Sequence, residues 1–196
     1  MTRVCLIGEA GSDLQYELLS RETAREALAT YDLERPFENS LALRTVSVGA
    51  AVSLLNDLNW YCTRFVDEAF VQEPSISDDE WLSRALATQL RNGEADADET
   101  GEFCKIYGLE RVAPAVEDEG TEPDAAASSG DDESAAASEG EENGAAAASS
   151  GAGGEPTYRL VEPLYVRRTD GDLPEYDLRD VAETLVVRLT ETEYTP

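Results

Sequence analysis

The chain of 196 residues contains no histidine, the side chain that most often moves protons in enzymes near neutral pH. This excludes Ser-His-Asp and Cys-His nucleophiles, a histidine general base and histidine metal ligands. Any catalysis would have to use carboxylates, tyrosine, cysteine, arginine or Lys105, the one lysine among 15 basic residues.

Residues 170–180 hold the densest group of candidate catalytic side chains. Asp170 and Asp172 lie close enough in sequence to share a hard cation, and an enzyme using carboxylates or a divalent cation would draw on these two residues, Asp177 and Arg168. The segment lacks the ligand spacing and terminal glutamate of an EF-hand, and 42 of the 196 residues are acidic. A solvated acidic loop is therefore favoured, no metal or cofactor is expected, and the enzyme is kept as the alternative.

Trp60 and Arg64 are the candidate binding residues. Trp60 lies on the polar side of a predicted amphipathic helix, and Arg64, four residues further on, can stack on its ring. An exposed tryptophan beside an arginine is typical of residues that anchor protein interfaces. The alternative is that a strand or loop covers Trp60. The pair predicts a contact patch for a protein partner or for a second copy of the chain.

A glycine-containing turn, residues 8–13, follows the first predicted strand and has some likeness to a phosphate-binding loop. It lacks the GK[ST] motif, and Glu9 and Asp13 would repel a phosphate. A hairpin turn is the favoured interpretation.

The three cysteines are odd in number, far apart and without a CxxC pair. A disulfide framework and a zinc-thiolate site are both disfavoured. Cys5, Cys62 and Cys104 are expected to be buried, apolar residues.

Hydrophobic periodicity predicts the elements that position these residues. Strands are predicted at residues 3–7, 14–18, 41–48, 158–168 and 184–192, with a helix from Asp13 as the rival for the second. Helices are predicted at residues 20–31, 49–72, 77–93 and 97–107, the third opened by a capping box from Ser77 to Glu80. The resulting fold class is α+β, a single domain with a mostly antiparallel sheet and about three to four helices on one face.

Residues 113–156 have a different composition from the rest. These 44 residues include 13 Ala, 7 Gly, 6 Ser and 12 acidic residues, but no aromatic and no basic residue. Such a segment cannot bury enough apolar surface to fold. It is predicted to be a disordered acidic insertion into one domain formed by residues 1–112 and 157–196.

The formal net charge is -27, and 14 of the 15 basic residues are arginine. This balance predicts a salt-adapted protein of a halophilic microbe, because concentrated salt screens the repulsion between carboxylates. Nucleic acid is an unlikely partner, although the same screening keeps it as an alternative. The N-terminal apolar run is too short for a signal peptide or a membrane span, so a cytoplasmic location away from membranes is expected.

In chain order, residues 16–25, 54–61, 80–84, 161–163 and 174–180 resemble a small family of uncharacterised haloarchaeal proteins. The resemblance covers most of the chain outside residues 113–156. It implies a haloarchaeal source and a domain of unknown function, and it transfers no functional residue. The function favoured by the sequence is that of a non-enzymatic interaction or regulatory module.

The charge balance yields a first prediction, that the protein unfolds when salt is removed. The residues outside 113–156 include 30 acidic and 15 basic side chains. Repulsion between the uncompensated carboxylates extends over about 30 Å at 0.01 M ionic strength but only about 3 Å at 1 M. Circular dichroism during dialysis from concentrated KCl into dilute buffer measures the loss of structure. A fold that persists unchanged in dilute buffer would contradict the salt-adapted interpretation.

Overall fold

The computed structural model describes residues 1–112, 157–169, 171–174, 181 and 183–194, so the predicted insertion lies outside the described residues. The strands are β1 (Thr2–Gly8), β2 (Ser40–Thr45), β3 (Val66–Gln72), β4 (Trp81–Ser83), β5 (Phe103–Val112), β6 (Thr157–Arg167) and β7 (Glu183–Leu189). The helices are α1 (Leu14–Leu19), α2 (Glu22–Leu28), α3 (Val48–Asp57), α4 (Asn59–Phe65), α5 (Arg84–Asn92) and α6 (Glu191–Tyr194). The fold is α+β.

The seven strands form one mixed sheet in the order β2-β1-β3-β4-β7-β5-β6. Strands β2, β1, β3 and β4 pair antiparallel, as do β7, β5 and β6. The two groups meet where β4 runs parallel to β7, in register at Trp81 with Val187 and at Leu82 with Arg188. We call this pairing the β4–β7 junction.

Successive residues of the strands point to opposite faces of the sheet, and both faces are covered. On the outer face, Val4 and Leu6 pack in one core with buried residues of α1 to α5, such as Leu18 and Leu55. On the inner face a second core forms from β1, β3, β4, β5 and β7. Its large buried members are Phe70, Trp81, Tyr107, Leu185, Val187 and Leu189.

The sheet is strongly curled. In a flat sheet β3 and β5, with β4 and β7 between them, would lie about 14 Å apart. Instead, Lys105 and Tyr107 of β5 both hydrogen-bond the carboxylate of Glu68 on β3. At the two ends of the strand order, the segment preceding β2 reaches β6, where the Glu38 amide donates to the Tyr158 carbonyl at 2.7 Å. The inner face is therefore nearly enclosed.

Short polar side chains define where the helices begin. Asp13 accepts a hydrogen bond from the Tyr16 amide at 3.0 Å, Ser47 from Ala50 at 3.2 Å and Ser83 from Leu86 at 3.1 Å. Helix α5 ends at Gly93, whose φ of 71° is the left-handed conformation that glycine adopts without strain. None of the helices in the described part of the chain has the length and apolar character needed to cross a bilayer.

Three of the predicted elements were wrong. Residues 14–18 belong to helix α1, because the buried positions are Leu14 and Leu18, one helical turn apart, whereas Tyr16 is exposed. The predicted helix 49–72 divides into α3, α4 and strand β3, and residues 103–107 of the predicted fourth helix lie in β5. Both strands are buried on two faces, so they lack the alternation that marks a strand.

The helix count is also higher than predicted, with six α-helices among the described residues rather than three to four. Most of the difference comes from short helices where the sequence predicts a strand or one long helix. Helix α6 moreover does not join the outer layer, since its Tyr194 ring contacts Phe103 at 4.9 Å and Tyr165 at 6.5 Å.

Residues 77–80 form a bend between β3 and β4, and the helix that they were predicted to open begins only at Arg84. The Ser77 hydroxyl does accept from the Glu80 amide, at 3.1 Å. The Glu80 carboxylate, however, binds two guanidinium groups, with Arg168 Nη2 on one oxygen and Arg188 Nε on the other. All three side chains are largely buried beside the β4–β7 junction.

Replacing Glu80 by glutamine should lower the free energy of unfolding by about 3–5 kcal/mol, because it leaves the charges of Arg168 and Arg188 buried without a counter-charge. Denaturant unfolding in concentrated KCl measures this loss. Glu110→Gln, which removes an exposed carboxylate from Arg159, is the matched control and should hardly change stability.

The loss of unfolding free energy caused by Glu80→Gln should depend on pH. Burial opposes ionisation of Glu80, but hydrogen bonds and charges from Arg168 and Arg188 outweigh it and lower its pKa. The stabilisation is therefore complete above the unfolded carboxyl pKa of about 4.3 and is lost as the pH falls through the lower folded value. The stabilities of wild type and Glu80→Gln should converge in acid, and a difference that stays constant would contradict this explanation.

Candidate functional site

Trp60 lies in the first turn of α4, which follows α3 after a break at Leu58. Leu54 and Leu58 remain buried in the outer core, while Trp60 is 54% exposed. Its ring makes edge contacts with Tyr61 at 5.0 Å and with Phe65 at 6.1 Å. The indole thus packs against two neighbouring rings although it faces solvent.

Two guanidinium groups flank the indole ring. Those of Arg64 and Arg21 lie 5.3 Å and 5.8 Å from the ring centroid, the distances of cation–π contacts. Arg21 also donates to Glu17 at 2.5 Å, whereas Arg64 has no carboxylate partner in the part of the chain that the structure describes. We call Trp60, Arg64 and Arg21 the Trp60 patch.

Within the residues that the structure describes, the acidic loop does not bring together the side chains that the alternative enzyme would use. Asp172 is exposed in a turn with Thr169, and Arg168 is bound to Glu80. Asp170 and Asp177 lie outside the described residues, so the predicted carboxylate pair cannot be placed. Among the described residues, no three acidic or cysteine side chains form a group that could hold a metal ion.

A cavity of about 740 Å³ lies at one end of the inner face, where β1 ends and β3 begins. Lys105 reaches into it from β5 and is only 8% exposed. Its ammonium group donates to Glu68 Oε1 and lies 5.0 Å from the ring centroid of Tyr107 and 5.5 Å from that of Tyr165. We call this the Lys105 cavity.

Tyr107 joins the ion pair of Lys105 and Glu68 by donating its hydroxyl hydrogen to the same Glu68 oxygen, at 2.9 Å. Burial and the neighbouring Glu68 carboxylate raise the pKa of Tyr107 far above its usual value. The phenol is therefore protonated and acts as a donor. Because both donors use Oε1, the second oxygen of Glu68 accepts no hydrogen bond from the described residues.

The loop after β1 forms part of the cavity wall, and it leads into helix α1 rather than into a hairpin, so the predicted hairpin turn was wrong. Gly8 is required where the strand ends, because a Cβ there would lie 2.4 Å from the Asn39 side chain and 2.8 Å from Leu14. The close approach holds the loop against the segment that precedes β2.

Sequence reasoning missed Glu68, Lys105 and Tyr107 as a group, because it placed all three on helices. One signal was available: Lys105 is the single lysine of a chain that otherwise uses arginine. Its partner could not be found from sequence, since Glu68 is one of 42 acidic residues and lies on a distant strand.

The cysteines are buried and free, as expected. Burial raises the pKa of Cys5 to about 12 and raises the pKa values of Cys62 and Cys104 as well. At neutral pH all three remain thiols, so they lack the thiolate that nucleophilic catalysis requires.

Together these features define an α+β domain with a curled sheet, a partly open cavity that contains a buried ion pair, and an exposed tryptophan flanked by arginines. Residues 2–109, more than half of the chain, match a family of unknown function, DUF5804, and the protein belongs to this family. No curated protein and no solved structure matches the chain. The resemblance to an uncharacterised family is thus confirmed, and the family assigns no activity.

The exposure of Trp60 can be measured by fluorescence, because Trp81, the second tryptophan, is only 4% exposed. Trp60→Phe should remove the red-emitting, acrylamide-quenched component and leave blue-shifted emission from Trp81. It should change the free energy of unfolding by no more than about 1 kcal/mol, as surface substitutions usually do. Blue-shifted, poorly quenched emission from the wild type, together with a large stability loss, would place Trp60 in the core.

Proposed function

We propose that the protein is a non-enzymatic interaction module that uses the Trp60 patch to bind an acidic protein partner. The observation that carries this proposal is the Trp60 ring, 54% exposed and flanked by two guanidinium groups. Tryptophan and arginine are the residue types most enriched among those that dominate binding energy at interfaces.

The patch is organised before any partner arrives. Contacts with Tyr61 and Phe65 fix the indole, and the Arg64 guanidinium already lies over its face. A side chain that is ordered in the free protein loses less conformational entropy on binding. These contacts in the free protein therefore support a binding role for the indole.

Charge complementarity argues for an acidic partner. Arg64 has no counter-charge among the described residues, although the chain has almost three acidic residues for each basic one. A carboxylate of a partner can form an ion pair with Arg64 while an apolar side chain covers the indole. Removing this pair from water strengthens the interaction, which salt would otherwise screen.

The setting that we propose for this interaction is the cytoplasm of a halophilic archaeon. The net charge of -27 and the single lysine support it. We further propose that residues 1–112 and 157–196 form one domain and that residues 113–156 are a disordered acidic insertion. The pairing of β5 with β6 and β7 supports the first part, because it joins the sequences on the two sides of the insertion.

The test is photo-crosslinking in a high-salt extract of the native host. A photoreactive amino acid replaces Thr63, an exposed neighbour of the patch on α4, and as a control it replaces Val46, which is 81% exposed. The proposal expects an adduct with one acidic protein other than this chain from position 63 and not from position 46. That protein is then identified by mass spectrometry.

Variants show whether the adduct depends on the patch. Trp60→Ala and Arg64→Glu should each reduce the yield by about tenfold or more, the loss typical of a dominant interface residue. Arg91→Glu, which makes the same charge change at an exposed position of helix α5, should leave the yield unchanged. An adduct only with a second copy of the chain, or one insensitive to the patch variants, would overturn the proposal.

A further inference from the structure

The Lys105 cavity has the size and shape of a small-molecule site. Its volume of about 740 Å³ lies within the range of about 300–1,000 Å³ that is usual for ligand pockets. The wall combines the glycine-containing loop after β1, the start of β3 and the inner faces of β5 and β6. Apolar contact is offered by Ile7, Leu160 and Pro163.

The charges that line the cavity are nearly balanced, with three carboxylates and two cations, namely Glu38, Asp67, Glu68, Lys105 and Arg159. Both cations are already paired, Lys105 with Glu68, and Arg159 with Glu110 and Glu38. An anionic ligand would meet more carboxylates than free cations. A cationic ligand would have to approach the buried ammonium of Lys105. A neutral ligand meets neither penalty.

Hydrogen-bonding capacity remains next to this ion pair. Lys105 has three N–H donors, and Glu68 is its one acceptor among the described residues. Glu68 Oε2 and the Asp67 carboxylate are acceptors that receive no hydrogen bond there, and the backbone amides of Ala10 and Gly11 on the cavity wall donate none. Unused donors and unused acceptors therefore both line the cavity.

Hydroxyl groups suit such a surface, because each one donates one hydrogen bond and accepts two without introducing a charge. From these features we propose that the Lys105 cavity binds a small neutral polyhydroxylated molecule, a sugar or polyol, whose hydroxyl groups contact Lys105 and Glu68. The carbon skeleton of such a ligand packs against the apolar part of the wall. This site is separate from the Trp60 patch and does not depend on it.

The single lysine makes a direct test possible. Protein grown with ¹³C-labelled lysine gives one Hε–Cε signal, that of Lys105, in the full chain. The neutral probes are methyl glucoside, myo-inositol and trehalose, and the charged probes are inorganic phosphate and putrescine, all titrated in concentrated KCl. The proposal expects a saturable shift with at least one neutral probe and none with the charged ones. A shift with charged probes alone, or with none of the five, would overturn it.

A double variant, Lys105→Met with Glu68→Gln, removes the ion pair without leaving a buried charge unpaired. Saturation transfer to the protons of the bound probe should show affinity weakened by about tenfold or more, as expected when hydrogen bonds to charged groups are lost. The matched control, Arg44→Met with Glu34→Gln, removes an exposed ion pair outside the cavity and should bind as the wild type does. Equal binding by both double variants would refute the assignment.

Glu68→Gln alone provides a second measurement that keeps the lysine signal. It should give a smaller saturable shift and weaker binding of the same neutral probe, while circular dichroism verifies that the variant is folded. Unchanged affinity in a folded Glu68→Gln variant would show that the ligand does not contact this carboxylate.

Discussion

The β4–β7 junction is the constraint on which the rest of the structure depends. It consists of two residue pairs in parallel register, and within the described sheet it is the one place where strands β2, β1, β3 and β4 pair through backbone hydrogen bonds with strands β7, β5 and β6. Side chains reinforce this short ladder. Glu80, just before β4, holds Arg188 of β7, and Ser83 donates to Glu193 at 2.7 Å. The curvature of the sheet, and with it the enclosure of the Lys105 cavity, requires both groups of strands to stay joined here.

The chain places some of its few cations inside the fold rather than on the surface. Lys105, Arg168 and Arg188 are all largely buried, and each binds a carboxylate that comes from a different strand or turn. A buried charge that loses its partner is costly, so these ion pairs specify which strands can meet. The surface therefore carries an even larger excess of acidic side chains. Water and counter-ions can reach the carboxylates there.

The sequence predicted the α+β class, the first strand, β2, β6 and β7, because apolar runs and turn residues mark them clearly. It failed at β3 and β5, where residues such as Phe70 and Val71 are buried on opposite faces and give the spacing of a helix. Trp60 could be identified from the sequence, because the spacing of residues within a single helix places it on the polar side. The Lys105 cavity could not, because Glu68 and Lys105 meet only through the curl of the sheet, which no local pattern encodes.

Among the described strands, β7 comes last in sequence, yet it lies between β4 and β5 in the sheet. During synthesis on the ribosome, the other strands of the described sheet therefore emerge before the one that joins them, and one edge of β4 and one edge of β5 remain open until β7 has been made. Open strand edges are sites of wrong pairing between chains. The sheet can then close only after β7 has emerged, and a chain cut short before β7 would expose both edges to its neighbours.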